Sequence, residues 1–183
     1  MTQPEAAELK ALAAEVGRLS DLAALGKLVD RYLASLDEGT FDETWARSLF
    51  TDDIEMAFPV GSHKGIDGVD DFTARIMARW GRTHHHGSDS SVEAEGDRAG
   101  LTWSLIASHV HFASPLPPDP SEYFQLGGRF TGTARRTPEG WRFDSLRLRI
   151  VWTTGSVPKG VTRVDTKTLD TRGNTVTTPA KEN

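Results

Sequence analysis

The sequence predicts an α+β fold in which N-terminal helices pack in the concave face of a strongly curved, mostly antiparallel sheet. Up to about residue 80, apolar side chains recur mainly at spacings of three and four, the period of an amphipathic helix. From His84 onward they recur at every second position, the period of a strand with one buried face. Helices followed by long strands are typical of folds in which a sheet wraps around helices and encloses a pocket.

The first two helices are expected to form an arm and a core helix. Residues 5–16 are rich in Ala, Leu and Glu, which favours a short helical arm. After Gly17, Ser20 is a suitable N-cap for a second helix with an apolar stripe facing the core. Tyr32 lies on that stripe, and Asp37 lies where the helix ends before a glycine.

A short helix, a strand and a further helix are expected next. Thr40 followed by Glu43 is a capping-box pattern that opens a short helix. Residues 54–60 end in a region with proline and glycine, so they indicate an edge strand or the first arm of a hairpin. Asp67 is a candidate cap for a helix over residues 69–80.

Four long strands account for most of the second half. They are expected at residues 84–94, 99–112, 123–136 and 141–153, separated by glycine-containing turns and a proline-rich loop. The first two form a hairpin. On the second strand, alternate residues from Ala99 to His109 share one face and are expected to enter the core.

The chain is long enough for one domain with a full core. At 183 residues, we predict a single domain over residues 1–155, with residues 1–19 as a helical arm. Residues 156–183 are rich in Thr, Lys and Asp and have few large apolar side chains. We expect this polar tail to be disordered or to lie along a neighbouring subunit.

Composition excludes several classes of function. A formal net charge of -5 gives no reason to expect nucleic acid or an anionic membrane as partner. No apolar run has the length to span a bilayer, and the acidic, Ala-rich start is unlike a signal peptide, so a cytoplasmic location is predicted. The chain contains no cysteine, which excludes disulfides, thiolate nucleophiles and cysteine-ligated metals.

Titratable side chains are concentrated in residues 83–89, which contain three of the six histidines and Asp89. Imidazole is the side chain whose ordinary pKa lies nearest neutral pH. In a strand, His85 points to one face and His84 and His86 point to the other. Either His85 enters a pocket while its neighbours meet solvent or a partner subunit, or the reverse holds.

Strand parity makes an inward His85 conditional on a β-bulge. Val92 and Ala94 have the same parity as His84 and His86, so a regular strand would turn His85 away from the core. A bulge within residues 87–91 would reset the register, and the Gly-Ser-Asp-Ser-Ser sequence there favours one.

Neither a metal nor an organic cofactor is expected. The patterns His84-x-His86 and His109-x-His111 each place two imidazoles on one face of a strand, but no Asp or Glu completes a recognisable zinc spacing. Gly127-Gly128 lies within a strand pattern and lacks the Lys-Ser/Thr ending of a phosphate-binding loop.

Several short motifs in a fixed order resemble those of a known superfamily. They are Arg31-Tyr32, Leu49-Phe50-Thr51-Asp52-Asp53, Thr83-His84-His85, Gly96-Asp97-Arg98-Ala99, Gly140-Trp141-Arg142-Phe143 and Ile150-Val151-Trp152. Together, over about residues 21–155, they resemble the SnoaL-like branch of the nuclear-transport-factor-2-like (NTF2-like) superfamily. The resemblance implies a cone-shaped, barrel-like sheet around the helices.

Within that superfamily the closest functional analogy is to scytalone dehydratase and, more distantly, to the bile-acid dehydratases. The resemblance implies that Asp37, His85 and His109 are catalytic and that Tyr32 takes an aromatic pocket position. From the residues alone, His109 is equally consistent with a buried core histidine whose hydrogen bonds are satisfied, and Tyr32 with packing.

These four side chains can carry out acid and base chemistry beside a carbonyl group. One histidine can remove the C–H proton and assist the departure of hydroxide if a carboxylate fixes its tautomer and steadies the imidazolium, as Asp37 could for His85. Tyr32 could donate a hydrogen bond to the carbonyl oxygen. We therefore predict a cofactor-independent, dehydratase-type lyase acting on a small hydrophobic cyclic or polyketide-like substrate.

Two alternatives stay open. A polyketide cyclase or isomerase of secondary metabolism would begin with the same proton abstraction, and a non-catalytic ligand-binding module could share the fold. The chain departs from scytalone dehydratase at residues 127–130, where that enzyme has a serine and an asparagine, and at Leu36, where it has a tyrosine.

Surface residues also allow two predictions. Exposed Trp and Phe on the outer sheet face favour a homodimer or homotrimer. Arg129, Arg147 and Arg149 alternate with apolar residues, so they are predicted to face solvent, with the alternative that one of them meets an anionic substrate group at the pocket mouth.

Overall fold

The computed structural model describes residues 3–112, 114, 116 and 118–157. The helices are α1 (Gln3–Glu38), α2 (Glu43–Leu49) and α3 (Val69–Met77), with a short 3-10 helix at Pro120–Glu122. The strands are β1 (Phe50–Phe58), β2 (Gly61–Lys64), β3 (Arg82–Glu95), β4 (Arg98–Val110), β5 (Tyr123–Thr137) and β6 (Gly140–Gly155). The predicted α+β class is confirmed, whereas residues 158–183 of the predicted tail lie outside the described residues.

The six strands of the described part form one curved sheet in the order β2-β1-β6-β5-β4-β3. The β1–β6 pair is parallel and every other pair is antiparallel, as expected for a mostly antiparallel sheet. Register shifts at Gly127/Gly128 and Thr133/Ala134 interrupt the β5–β6 ladder, and such bulges bend a sheet. With β2 and β3 as edges, the sheet stays open and does not complete a barrel.

Helix α1 is a single helix of 36 residues, so the predicted break at Gly17 and cap at Ser20 are wrong. A glycine within a helix costs only about 1 kcal/mol, and the Ala-, Leu- and Glu-rich residues on both sides favour helix. The helix does end where predicted: Gly39 has a positive φ of 71°, and its N–H donates to the carbonyl of Ser35.

Two other helix starts differ from the predicted caps. Asp42, and not Thr40, caps α2, because its carboxylate accepts from the N–H of Trp45 at 2.6 Å. Helix α3 begins after Gly68, which has a φ of 77° and no side-chain cap, and it ends at Met77, three residues before the predicted end. Strand β1 is the first arm of the β1–β2 hairpin but not an edge, because β6 pairs with its other side.

The core lies between the second half of α1 and the concave face of the sheet. Alternate residues of β4 from Ala99 to His109 are all buried, which confirms the predicted inward face. The ring of Tyr32 packs edge-on against three phenylalanines, Phe50, Phe130 and Phe143, at centroid distances of 6.1, 6.0 and 5.9 Å. This packing fixes α1 relative to β1, β5 and β6, and therefore fixes the end of α1 against β3.

Within residues 3–157 as described, no helix combines the length and the apolar character that are needed to cross a membrane.

Candidate active site

A β-bulge in β3 determines which histidine faces the concave side of the sheet. Ser88 pairs with Ser104 and Ser91 pairs with Thr102, so three steps along β3 match two along β4. Asp89, within this bulge, has a positive φ of 53°. The extra residue reverses the parity of the strand, so both His85 and Val92 point inward. The bulge predicted within residues 87–91 is confirmed.

Asp37, at the end of α1, holds His85 through side chain and backbone. Its Oδ1 lies 2.6 Å from Nδ1 of His85, and its Oδ2 accepts from the backbone N–H of His85 at 2.9 Å. The hydroxyl of Thr83 donates to Oδ1 at 2.9 Å. Because a carboxylate can only accept, Nδ1 of His85 carries the hydrogen and Nε2 carries the lone pair.

Burial and hydrogen bonding set the charges of this pair. Burial lowers the pKa of His85 more than the bond to Asp37 and its negative charge raise it, and only 5% of the His85 side chain is exposed. Burial alone would raise the pKa of Asp37, but the donors on His85 and Thr83 outweigh it and lower that pKa. At neutral pH the pair is therefore a carboxylate beside a neutral imidazole.

His109 faces the same space as His85. The two rings meet edge to face with centroids 5.3 Å apart, and the ring of Trp80 lies 4.7 Å from that of His109. Burial, followed by repulsion from a charged His85, lowers the pKa of His109 to about 4, so its ring is neutral at pH 7. Its Nδ1 is buried and has no hydrogen-bond partner among the described residues.

Tyr32 contributes a buried phenol to the same site. It is 2% exposed, and burial raises the pKa of its hydroxyl above the ordinary value. The hydroxyl consequently keeps its proton throughout the pH range in which most proteins are folded, and it can act as a hydrogen-bond donor.

A cavity joins these side chains. It has a volume of about 110 Å³, taken as the space open to the centres of water-sized molecules. Three of the four predicted site residues, Tyr32, His85 and His109, line it, and Asp37 stands behind His85. The remaining lining is mostly apolar: Leu36, Phe58, Pro59, Val60, Thr73, Ile76, Met77, Arg79, Trp80, Leu105, Ala107, Phe124, Leu126, Phe130, Leu148, Ile150 and Val157.

His84 and His111, which the sequence placed in possible metal-binding pairs, do not line the cavity. The side chain of His84 is 77% exposed, and its Nδ1 is 3.8 Å from Asp37 Oδ2. Nε2 of His111 lies 2.8 Å from the carbonyl oxygen of Ser156. In the part of the chain that the structure describes, no group of three or more His, Asp or Glu side chains is placed to hold a metal ion.

Four residues of the site were not predicted as such from the sequence. Thr83 shares a strand face with His85, and this spacing was the available signal for its bond to Asp37. Trp80 was expected within a helix but follows it and contacts His109. Arg79 and Val157 also line the cavity, and no pattern in the sequence marks either of them. None of Arg129, Arg147 and Arg149 is part of the lining.

The fold and the cavity define a class of protein: helices cupped in a curved sheet around a small, mostly apolar chamber that contains imidazoles. The sequence matches the SnoaL-like domain family over residues 17–147, and the chain belongs to that family. No curated protein matches the sequence significantly.

Solved structures share this fold. A protein described as a candidate scytalone dehydratase from Novosphingobium aromaticivorans has a TM-score of 0.65 at 22% identity, over 80% of this chain and 97% of that one. Hexachlorocyclohexane dehydrochlorinase LinA-type3 from Novosphingobium barchaimii has a TM-score of 0.64 at 20% identity, over 82% and 99%. An NTF2-like superfamily protein from Salmonella enterica has a TM-score of 0.57 at 19% identity, over 74% and 90%. The recognised family and fold are therefore confirmed, and the structures with this fold include enzymes.

Proposed function

We propose that this protein is a cofactor-independent lyase of the dehydratase type, acting on a small hydrophobic cyclic or polyketide-like molecule. The observation that carries the proposal is the 2.6 Å contact between Asp37 and His85 at the wall of an apolar cavity. A buried imidazole with a fixed tautomer and a carboxylate behind it is an arrangement suited to general base catalysis.

In the proposed reaction, Nε2 of His85 removes a proton from the carbon next to a carbonyl group. The electron pair of that C–H bond moves into an enolate, while Asp37 stabilises the imidazolium. The enolate then expels the hydroxyl group on the neighbouring carbon, which leaves as water after it takes the proton from Nε2. An unsaturated carbonyl compound and one water molecule are formed, and the histidine returns to its neutral state.

Tyr32 and His109 are proposed to act on the oxygen atoms of the substrate. The Tyr32 hydroxyl keeps its proton and can donate to the carbonyl oxygen as negative charge develops. His109 is neutral at pH 7, so one of its ring nitrogens carries a hydrogen and the other a lone pair, and the ring can hydrogen-bond to the departing hydroxyl group.

The same base would also serve an isomerase or a polyketide cyclase, because both begin with proton abstraction beside a carbonyl group. The three reactions differ only in the fate of the enolate. A ligand-binding module without catalysis is less well supported, because three titratable side chains, Tyr32, His85 and His109, line the cavity.

Two small ketones separate dehydration from isomerisation. 3-Hydroxycyclohexanone gives cyclohex-2-enone by loss of water, and cyclohex-3-enone gives the same enone by migration of its double bond, so ultraviolet absorbance follows both. The cavity of this protein, at about 110 Å³, is somewhat smaller than a cavity of about 150 Å³ in another protein that binds benzene. Probes with a single ring are therefore used. We expect conversion of the first ketone; conversion of the second alone would identify an isomerase. No conversion of either, and no deuterium uptake next to the carbonyl in D₂O, would contradict proton transfer in this cavity.

The dependence of the reaction on pH follows from the state of His85. The base must be neutral, and its pKa in the folded protein is lowered below the ordinary 6.5, so kcat/KM is expected to fall only as the pH decreases through a value below 6.5. Measurement over about pH 4–8 with 3-hydroxycyclohexanone gives the profile. Circular dichroism at each pH provides the control, because the lowered pKa values of His85 and His109 mean that the unfolded chain takes up protons first as the pH falls below 6.5, so the folded state also loses stability there. Half-maximal activity above pH 6.5 would be inconsistent with this assignment.

We also propose that the chain self-associates through α1. Residues 3–20 of this helix are exposed and carry an apolar stripe, Leu9, Leu12, Val16 and Leu19, with exposures of 55, 60, 55 and 51%. The spacings of three, four and three are those of a coiled-coil seam, which a second copy of the helix would cover. Apolar side chains on the sheet, Ile106, Val151 and Trp152, are also exposed and extend the surface that a partner could cover.

Two charges on this stripe should reduce self-association. The double variant Leu12→Lys/Val16→Lys is expected to be monomeric at concentrations where the unchanged protein is a dimer or trimer, because each lysine would have to be buried in the seam. Sedimentation equilibrium measures the mass, and Ala14→Lys, on the opposite side of the same helix, is the control. A double variant with the mass of the unchanged protein would show that α1 is not the interface.

A further inference from the structure

The cavity lining contains one side chain with a permanent charge, Arg79. The other polar side chains of the lining are the hydroxyls of Tyr32 and Thr73, the indole of Trp80 and two imidazoles with lowered pKa values. Arg79 is partly buried, so it lies between the apolar interior and solvent. A guanidinium in such a place is partly hydrated by solvent and can also donate hydrogen bonds to a ligand in the cavity.

The residues that follow Arg79 pack against the ends of β4 and β5 near His109. Trp80 stacks on Phe124 with ring centroids 5.7 Å apart, and the N–H of Gly81 donates to the carbonyl of Val110 at 2.8 Å. A Cβ atom on Gly81 would lie only 3.0 Å from backbone atoms of His111 and Phe112, so the two segments are in close contact. The backbone of Arg79 is therefore held in place, because the next residue is Trp80, whose ring contacts His109.

Among the described residues, no ion pair or side-chain hydrogen bond engages the guanidinium of Arg79. Other arginines differ: Arg135 pairs with Asp53 and Asp144, and Arg136 pairs with Asp21 and Asp97. The carboxylate of the site, Asp37, is instead engaged by His85 and Thr83, which donate to both of its oxygens. The positive charge at the cavity is thus uncompensated within the part of the chain that the structure describes.

We propose that Arg79 binds an anionic group of the substrate, and that the substrate is a small cyclic carboxylic acid in its ionised form. The planar guanidinium matches a carboxylate through two parallel N–H···O bonds, while the apolar lining takes the ring. Repulsion from Asp37 keeps the carboxylate away from His85 and so fixes which end of the substrate meets the base. This inference rests on the proposed function, in which the cavity is the substrate site. It assigns to Arg79 the contact with an anionic substrate group that the sequence allowed for Arg129, Arg147 or Arg149.

Benzoate and benzamide test this inference, because they have nearly the same shape and differ in charge. Binding of each is measured by titration of the ¹⁵N-labelled protein, with the indole N–H signal of Trp80 as the readout. We expect benzoate to bind about tenfold more tightly than benzamide, which is typical of one charge-assisted contact. Arg79→Gln should remove that preference and leave benzamide binding unchanged, and Arg79→Lys should keep part of it. Arg75→Gln, on the exposed side of α3, is the matched control.

Equal binding of both probes to the unchanged protein would overturn the inference, and so would an unchanged preference for benzoate in Arg79→Gln. Failure of both probes to bind would overturn it as well. Because these are binding measurements on unreactive compounds, they do not depend on turnover. A protein that converts neither ketone and promotes no deuterium uptake next to their carbonyl groups, but keeps an Arg79-dependent preference for benzoate, would contradict the proposed lyase and support the anion site.

Discussion

Replacement of His85 by alanine is expected to lower kcat/KM for 3-hydroxycyclohexanone by about 10²–10⁴, the usual contribution of a general acid–base residue. In the proposed mechanism the same Nε2 removes the carbon proton and returns it to the departing hydroxyl, so no step proceeds without the ring. The rate of absorbance increase from cyclohex-2-enone measures the loss.

The fold should survive this change, because Asp37 keeps two donors, the backbone N–H of residue 85 and the hydroxyl of Thr83. Benzamide binding and circular dichroism check that the cavity is intact. His84→Ala is the matched control, since that neighbouring side chain is 77% exposed and should be dispensable. Full activity in His85→Ala, or equal losses in both variants, would exclude His85 as the base.

Replacement of Asp37 by asparagine is expected to lower kcat by up to about 10⁴, comparable to the loss of the buried aspartate from a serine protease triad. An amide can donate as well as accept, so it can bond to an unprotonated Nδ1 and leave the hydrogen on Nε2. The base would then face the substrate in the wrong tautomer, and the imidazolium would lack its counter-charge. Steady-state kinetics with 3-hydroxycyclohexanone measure the effect.

Asp53→Asn is a suitable control for the loss of a carboxylate. Asp53 accepts from Thr51 and pairs with Arg135, and it does not line the cavity. We expect this variant to turn over 3-hydroxycyclohexanone at the rate of the unchanged protein. Retention of activity in Asp37→Asn would mean that the tautomer of His85 does not limit the reaction.

Much of the site was predictable because strand periodicity is a strong signal. The alternation along β4 placed His109 on the buried face, and the end of α1 was expected at Asp37, just before Gly39. Even the bulge that turns His85 inward followed from a parity conflict between His85 and Val92. In each case a local rule of geometry led to a definite expectation.

Other features depend on contacts between distant parts of the chain, which periodicity does not report. The position of Arg79 at the cavity follows from Trp80 packing on Phe124 beyond the end of α3, and Val157 lies in a segment whose composition is that of a tail. The helix break expected at Gly17 did not occur, because a glycine is a weak signal where the surrounding residues favour helix. Residues at loops and element ends were therefore harder to assign than those within strands.

The central claim is that Asp37 holds His85 as a neutral base with its lone pair on Nε2 at the cavity wall. Long-range ¹H–¹⁵N correlation spectra of histidine-labelled protein, assigned with the His85→Ala variant, measure this directly. We expect His85 to be neutral at pH 7, with its hydrogen on Nδ1, and to titrate below 6.5. A ring with its hydrogen on Nε2, or one that is already an imidazolium at pH 7, would contradict the central claim.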